Sequence, residues 1–415
     1  MISTPTKRPR RAPARARGVL RALELDTRLL GMVGALLAIW LLFHVLTGGT
    51  FLTARNLWNL AVQTSVVGII ATGMVFVIVT RQIDLSVGSL LGFLGMVMAV
   101  LQVDLFPAGA PWNWLATLLV GLLLGALLGA FQGYWVAYQG VPSFIVTLAG
   151  LLIFRGGAWL VTQGRTVAPL DPTFQILGGG VSGSIGGTWS WVVGGVAVAA
   201  LLIGNARARA KRRRLGFHVK PLWAEVVTQG VLVALIVGFV MVMNAYTQPR
   251  STVPRGIPVP VLVTLALALA MSLTARRTRF GRYVYAIGGN PEAAQLAGID
   301  TRRVRLLVFV ITGVLCALAG AVASARLNAG ANSTGTLTEL YVIAAVVIGG
   351  TSLAGGYGTI SGALLGALLM QSLQSGMVLL GLSSPLQQVV IGLVLILAVW
   401  LDVLYRRRSG ALEGP

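Results

Sequence analysis

Between two apolar runs lies a polar island, Gly281 to Thr301, reading GRYVYAIGGNPEAAQLAGIDT. Arginines flank it, with Arg276, Arg277, Arg279 and Arg282 on one side and Arg302, Arg303 and Arg305 on the other. Its centre predicts a very short helix with both ends marked. Asn290 can cap the N-terminus, and Pro291 suits the first helical position, where a missing N–H costs nothing. Glu292 places a negative charge in the first turn, favourable against the helix dipole. Gln295 and Leu296 continue the helix, and Gly298 supplies the left-handed residue that ends it. So well punctuated a helix suits an element that fits a partner. The plainer alternative is an arginine-rich loop of the kind that faces the inner side of a membrane.

Other side chains able to do chemistry are few. Asp84, Arg155 and Glu339 fall beside or within apolar runs, where an ionisable group is costly and marks a functional or paired position. Arg155 could pair with Asp84 or Glu339, lie against a water-filled vestibule, or snorkel to the surface. The lone Cys316 lies in an apolar run and reads as a small core residue. His44 and His218 are far apart, so no metal cluster is expected. No nucleophile, base and orienter set emerges, so no catalytic residue and no bound cofactor is expected. The chain lacks a G-x-x-x-x-G-K-[ST] phosphate loop; ATP-driven work would need an ATPase on another chain.

The elements that must position these residues are apolar. Of 415 residues 56% are hydrophobic and only 10% charged, with mean hydropathy +0.84. A soluble domain carries about 25% charged residues, so most of this chain must lie in lipid. The net charge of +21 does not imply nucleic acid. Most Lys and Arg sit in four segments, residues 1–30, 204–220, 275–305 and 406–408, each between or beyond apolar runs. That is the positive-inside pattern, and no basic patch with interleaved aromatics accompanies it.

The expected fold is all-α, a polytopic transmembrane helix bundle with broken or re-entrant segments and about 10–12 spans. Residues 1–28 form a basic, disordered inner tail, 29–404 the membrane domain with its 276–305 inner loop, and 405–415 a second inner tail. Twelve apolar runs, at about 29–46, 60–80, 84–102, 113–137, 143–163, 187–203, 222–243, 258–274, 305–325, 339–355, 358–380 and 386–404, place both termini on the cytoplasmic side.

Two polar interruptions are too short for loop domains. Thr80 to Ser89 breaks the second run from the third, with Asp84 and Ser86 placed to cap the helix that follows. Gly349 to Gly358, holding Thr351 and Ser352, breaks a later pair. Each is either a tight inner turn, with Arg81 at the headgroups in the first, or a discontinuous helix beside a substrate path. Gly121, Gly125, Gly129 and Gly133, one per turn, form a ridge that lets another helix approach, by default one of the same chain.

Several stretches resemble the membrane permeases of ATP-driven monosaccharide importers of the ribose, xylose and arabinose type. They are Gly288, Gly289, Asn290, Pro291, Glu292, Ala293, Ala294 with Gly298 and Ile299; Ile83 to Gly88; Val141 to Leu148; Phe154 to Gly157; and Ala344 to Gly356. The resemblance covers roughly residues 55–165 and 260–400. The extra length between them, with Gly133 to Tyr138, resembles the xylose or multiple-sugar branch.

The resemblance implies a type II importer-like permease of a prokaryotic cytoplasmic membrane, not an enzyme itself. It implies that Gly288–Ala294 and Gly298 couple to an ATPase subunit. It implies as partners that ATPase, a periplasmic or extracellular sugar-binding protein, a second permease copy, membrane lipid and the monosaccharide. Asp84, Ser86, Arg155, Glu339, Thr351 and Ser352 are the candidates for the substrate path. Permeases for nucleosides, autoinducers or branched-chain amino acids are the near alternatives, and an ion-coupled secondary transporter a more distant one.

Overall fold

The computed structural model describes residues 27–408 apart from Ala108, Val181 and His218, with the side chains of Thr27, Arg28, Ala398 and 401–408 left aside. Nearly all of the expected basic tail over residues 1–28, and residues 409–415, lie outside the described residues. Helices dominate, and among the described residues β-pairing is limited to isolated bridges.

In chain order, α1 is Thr27–Leu46, α2 Ala54–Val79, α3 Val87–Val100 with a π turn to Leu105, α4 Asn113–Ala137 and α5 Ser143–Thr162. A short α6, Pro172–Gln175, precedes the long pair α7 (Gly186–Arg214) and α8 (Leu222–Ala245). Then come α9 (Val259–Arg277), α10 (Arg279–Gly289), α11 (Pro291–Leu296) and α12 (Thr301–Leu327). Last are α13 (Thr338–Ile348), α14 (Ile360–Leu379) and α15 (Ser384–Arg408).

Among the described residues 10 helices are long and apolar enough to cross a membrane, making this a multi-pass membrane protein. The run expected over 339–355 is corrected. It stops at Ile348, and 11 residues reach only about 16 Å against about 30 Å of hydrocarbon. α15 continues to Arg408, into the stretch expected as the C-terminal tail.

α2 and α12 form the centre. Both are buried over most of their length, while α7 and α8 stand at the side with mostly exposed apolar faces. The glycine ridge of α4 explains how α12 comes so close. A Cβ at Gly125 would overlap the Gly313 carbonyl, and one at Gly129 the Phe309 carbonyl. One at Gly133 would stand 3.1 Å from the Leu306 Cα. The partner helix is therefore in the same chain. Gly129→Ala should lower stability by about 1–3 kcal/mol, since a methyl group there meets backbone that cannot step aside. Thermal unfolding in detergent checks this, and an unchanged midpoint would mean α4 can slide along α12.

The α7–α8 pair is held at two points. Arg209 on α7 pairs with Glu225 on α8. At the other end Arg255 lies over the rings of Tyr246 (4.6 Å) and Trp58 (5.1 Å), and the Trp58 indole N–H donates to the Gly256 carbonyl (3.0 Å). The Ser184–Pro258 bridge joins the starts of α7 and α9. The basic end of α7 therefore points the same way as the arginine-rich ends of α9 and α12.

Candidate functional site

α10 and α11 project from the arginine-rich end. In α11 the expected local chemistry is present. The Asn290 side-chain oxygen accepts from the Ala293 N–H (2.9 Å), Pro291 opens the helix and Glu292 lies in its first turn. Gly298 has φ 83°, and the Gly298 and Ile299 N–H groups close on the Gln295 (3.0 Å) and Ala294 (3.1 Å) carbonyls. These are the crossed bonds of a left-handed helix stop. Ala294 is the buried residue of α11 and faces the bundle, whereas Leu296 is 91% exposed. Beside α11 an open recess of about 520 Å³ runs to the end of α4 at Ala137–Gly140.

The island holds one helix more than its sequence suggested. α10 is amphipathic, burying Val284 and Ile287 while Arg282 and Tyr283 face out. The Thr278 hydroxyl caps it by accepting from the Gly281 N–H (3.0 Å). The signal was present as Thr278 followed by Phe280, Val284 and Ile287, apolar at spacings of three and four. Gly288, which the resemblance places in the coupling stretch, is buried, and a Cβ there would overlap the Val79 carbonyl. The Tyr285 hydroxyl donates to the Gly358 carbonyl (2.7 Å). Burial pushes this phenol above its usual range, against the opposing pull of Arg276, so it remains a donor at neutral pH.

The first break is real and closely bonded. Ser86 stands at the start of α3, yet its side chain caps nothing, which corrects the expected capping role. Its hydroxyl and its N–H both donate to Asp84 Oδ1, at 2.6 and 2.8 Å. Gln132 on α4, not foreseen, donates its amide to the Ser86 oxygen (2.9 Å). The start of α5 closes the turn: Ser143 accepts from the Ile83 N–H (3.1 Å), and Thr147 donates to the Ile83 carbonyl (3.3 Å). Every member of the Asp84–Ser86–Gln132 set is buried.

Arg155 forms no ion pair with Asp84 or Glu339, which corrects both expected pairings. Its Nη1 donates to the carbonyls of Asn332 and Thr334, each at 3.1 Å. Those belong to a coil, residues 328–337, between α12 and α13. The coil runs back along α3: Gly330 packs on Met96 and Ala99, and Gly335 on Gly88. Arg155 is twelve residues into α5, about 18 Å along it by a 1.5 Å rise. Coil at such depth has carbonyls without helical partners, and the guanidinium supplies donors for two of them. Glu339 packs against Gly88, so Asp84, Ser86, Arg155 and Glu339 gather around the first turns of α3. Thr351 and Ser352 do not join them. They lie in the second break, where Ser352 donates its N–H to the Tyr357 carbonyl (2.9 Å) and Gly356 its N–H to the Val79 carbonyl (3.0 Å). Among the described residues no cluster of His, Cys, Asp and Glu could hold a metal ion.

Residues 56–399 match the model of a family described as the branched-chain amino acid transport system / permease component. The chain belongs to this permease family. It is 43% identical to the xylose transport system permease protein XylH of Escherichia coli K12, over 93% of this chain and 94% of that one. It is 34% identical to the ribose import permease protein RbsC of the same organism, over 85% and 87%. With the L-arabinose ABC transporter permease protein AraH of Azospirillum brasilense it shares 30%, over 97% and 94%. No solved structure matches. The higher identity to the xylose permease agrees with the branch suggested by the extra α7–α8 length.

Proposed function

We propose that this chain is the membrane-spanning subunit of an ATP-driven importer of a monosaccharide, xylose or a related pentose or hexose. The observation that carries the reading is α11: a capped helix that projects from the arginine-rich end with an apolar side chain at its tip, in a chain similar to sugar permeases. A separate ATPase subunit grips α11 on the cytoplasmic side, a sugar-binding protein delivers substrate on the other, and two permease copies match a paired ATPase. Both termini are cytoplasmic in this reading. ATP and the binding protein each favour one conformation by differential contacts, which alternates access to the path. In this reading the polar groups Asp84, Ser86 and Glu339 around the start of α3 supply the hydrogen-bonding lining that a neutral sugar requires, and Arg155 holds the coil beside them.

The test is uptake into vesicles holding the permease, its ATPase and the sugar-binding protein. ATP-dependent xylose uptake, undiminished by a protonophore and by excess leucine, is the expected result. Leucine uptake would support an amino acid permease, and uptake without ATP an ion-coupled carrier. Labelling a cysteine at position 290 from outside intact cells would invert the orientation and end the docking reading.

Gly298→Val tests the helix stop. A β-branched residue at φ 83° costs roughly 1–2 kcal/mol, enough to unwind the last turn of a helix only six residues long. The variant should reach the membrane yet lose most sugar-stimulated ATP hydrolysis. Normal stimulation in the assembled complex would show that the stop has no part in coupling.

A further inference from the structure

We propose that Arg81 locks the root of α11 to the end of α2, so that a displacement of α11 reaches both breaks as one unit. The inference rests on the docking reading of α11 and adds the route by which its motion enters the bundle.

α2 ends with the same crossed bonds that end α11. The Arg81 N–H donates to the Ile78 carbonyl (2.9 Å) and the Gln82 N–H to the Val77 carbonyl (3.0 Å). The first of these two donors must be left-handed, and Arg81 has φ 62°. Glycine is the usual occupant, and a side chain there costs roughly 1 kcal/mol. The chain carries an arginine at that cost, and the side chain has a task. Its Nε donates to the Gly288 carbonyl (2.9 Å) and its Nη2 to the Gly289 carbonyl (2.7 Å).

Those carbonyls close α10, where the last C=O groups of a helix lack helical partners and the dipole is negative. A planar guanidinium holding two neighbouring carbonyls fixes orientation as well as distance. Asn290, the next residue, caps α11. The clamp therefore holds the peptide groups directly before the docking helix.

The second break joins at the same point, with backbone on backbone. Val79, two residues before Arg81, accepts from Gly356. Gly288 has no room for a Cβ between the Val79 carbonyl and the Gly356 N–H. A Cβ on Gly355 would strike the Arg81 side chain and stand 2.9 Å from the Gly288 carbonyl. Where Gly288 meets Val79 and Gly356, backbone lies on backbone with no side chain between, so little displacement is lost there. On its other side Arg81 leads within three residues to the Asp84–Ser86–Gln132 set.

A mere helix cap and a clamp predict opposite results for Arg81→Gly. A cap would be unchanged or improved, because glycine relieves the left-handed backbone. A clamp would lose its coupling. In vesicles holding the full permease, ATPase and binding protein, Arg81→Gly should assemble with an equal or higher unfolding temperature. It should hydrolyse ATP within about twofold of the parent yet import at least about tenfold less sugar per ATP. Arg81→Lys, whose ammonium lacks the planar fork, should recover part of the ratio. Undiminished uptake per ATP in Arg81→Gly overturns the clamp while leaving the docking reading intact; a parent complex that needs no ATP overturns the docking reading itself. If Arg81→Gly does not reach the membrane, Gly288→Ala separates the same surfaces from the opposite side. Lost uptake per ATP in that variant supports the clamp, and failure of both variants to fold overturns it in favour of a purely architectural contact.

Discussion

Leu296→Asp should release the ATPase subunit while leaving the permease folded in the membrane. Leu296 is 91% exposed on a six-residue helix whose other outward positions are small or polar. An apolar side chain held out at the tip of a capped helix stabilises nothing within its own chain. In a groove of a partner it becomes an anchor, as helices that dock by their apolar residues do. Removing a buried anchor costs about 2–4 kcal/mol, roughly 30- to 1,000-fold in affinity. Aspartate adds a buried charge without a counter-ion, so the upper part of that range is expected. Leu296→Ala keeps the site apolar and should fall near the lower part. Titration of the ATPase onto detergent-solubilised permease measures both. Equal affinity for parent and aspartate variant would mean that α11 docks by another face.

The residues of α11 show how far local chemistry reaches. Asn290, Pro291 and Gly298 each act within four residues of chain, so their roles could be read from spacing and then found in the structure. The outward turn of Leu296 could not, because an apolar residue in a helix looks the same whether it points in or out. Burial of Gly288 was hidden for the same reason: its neighbours are Val79 and Gly356, far away in sequence. Both breaks were legible as short polar interruptions. The coil over 328–337 was not, since Asn332, Ser333 and Thr334 look like any outer loop and depth is a tertiary property. Arg155 stood out because charge in an apolar run is costly. Its partners were missed because backbone carbonyls have no letter of their own in a sequence.

Arg155→Ala should therefore detach the 328–337 coil and abolish uptake. Two carbonyls, those of Asn332 and Thr334, lose their donor in a partly buried place. Each unsatisfied group costs about 1–3 kcal/mol, and truncating the side chain leaves a void between α5 and α3 as well. The summed loss is comparable to the whole stability of many domains. The coil should give way before the bundle, since it has no helical bonds of its own. Ser333, on the exposed part of this coil, offers the readout: as a cysteine it should react with a soluble thiol reagent several-fold faster in the alanine variant. Arg155→Gln retains an amide donor and should keep part of the coil in place. The alternatives separate cleanly. An arginine that merely snorkels to the surface would leave unfolding, labelling and uptake unchanged on truncation. One that faces substrate would lose uptake with no change in labelling. Faster labelling together with lost uptake assigns Arg155 to the coil.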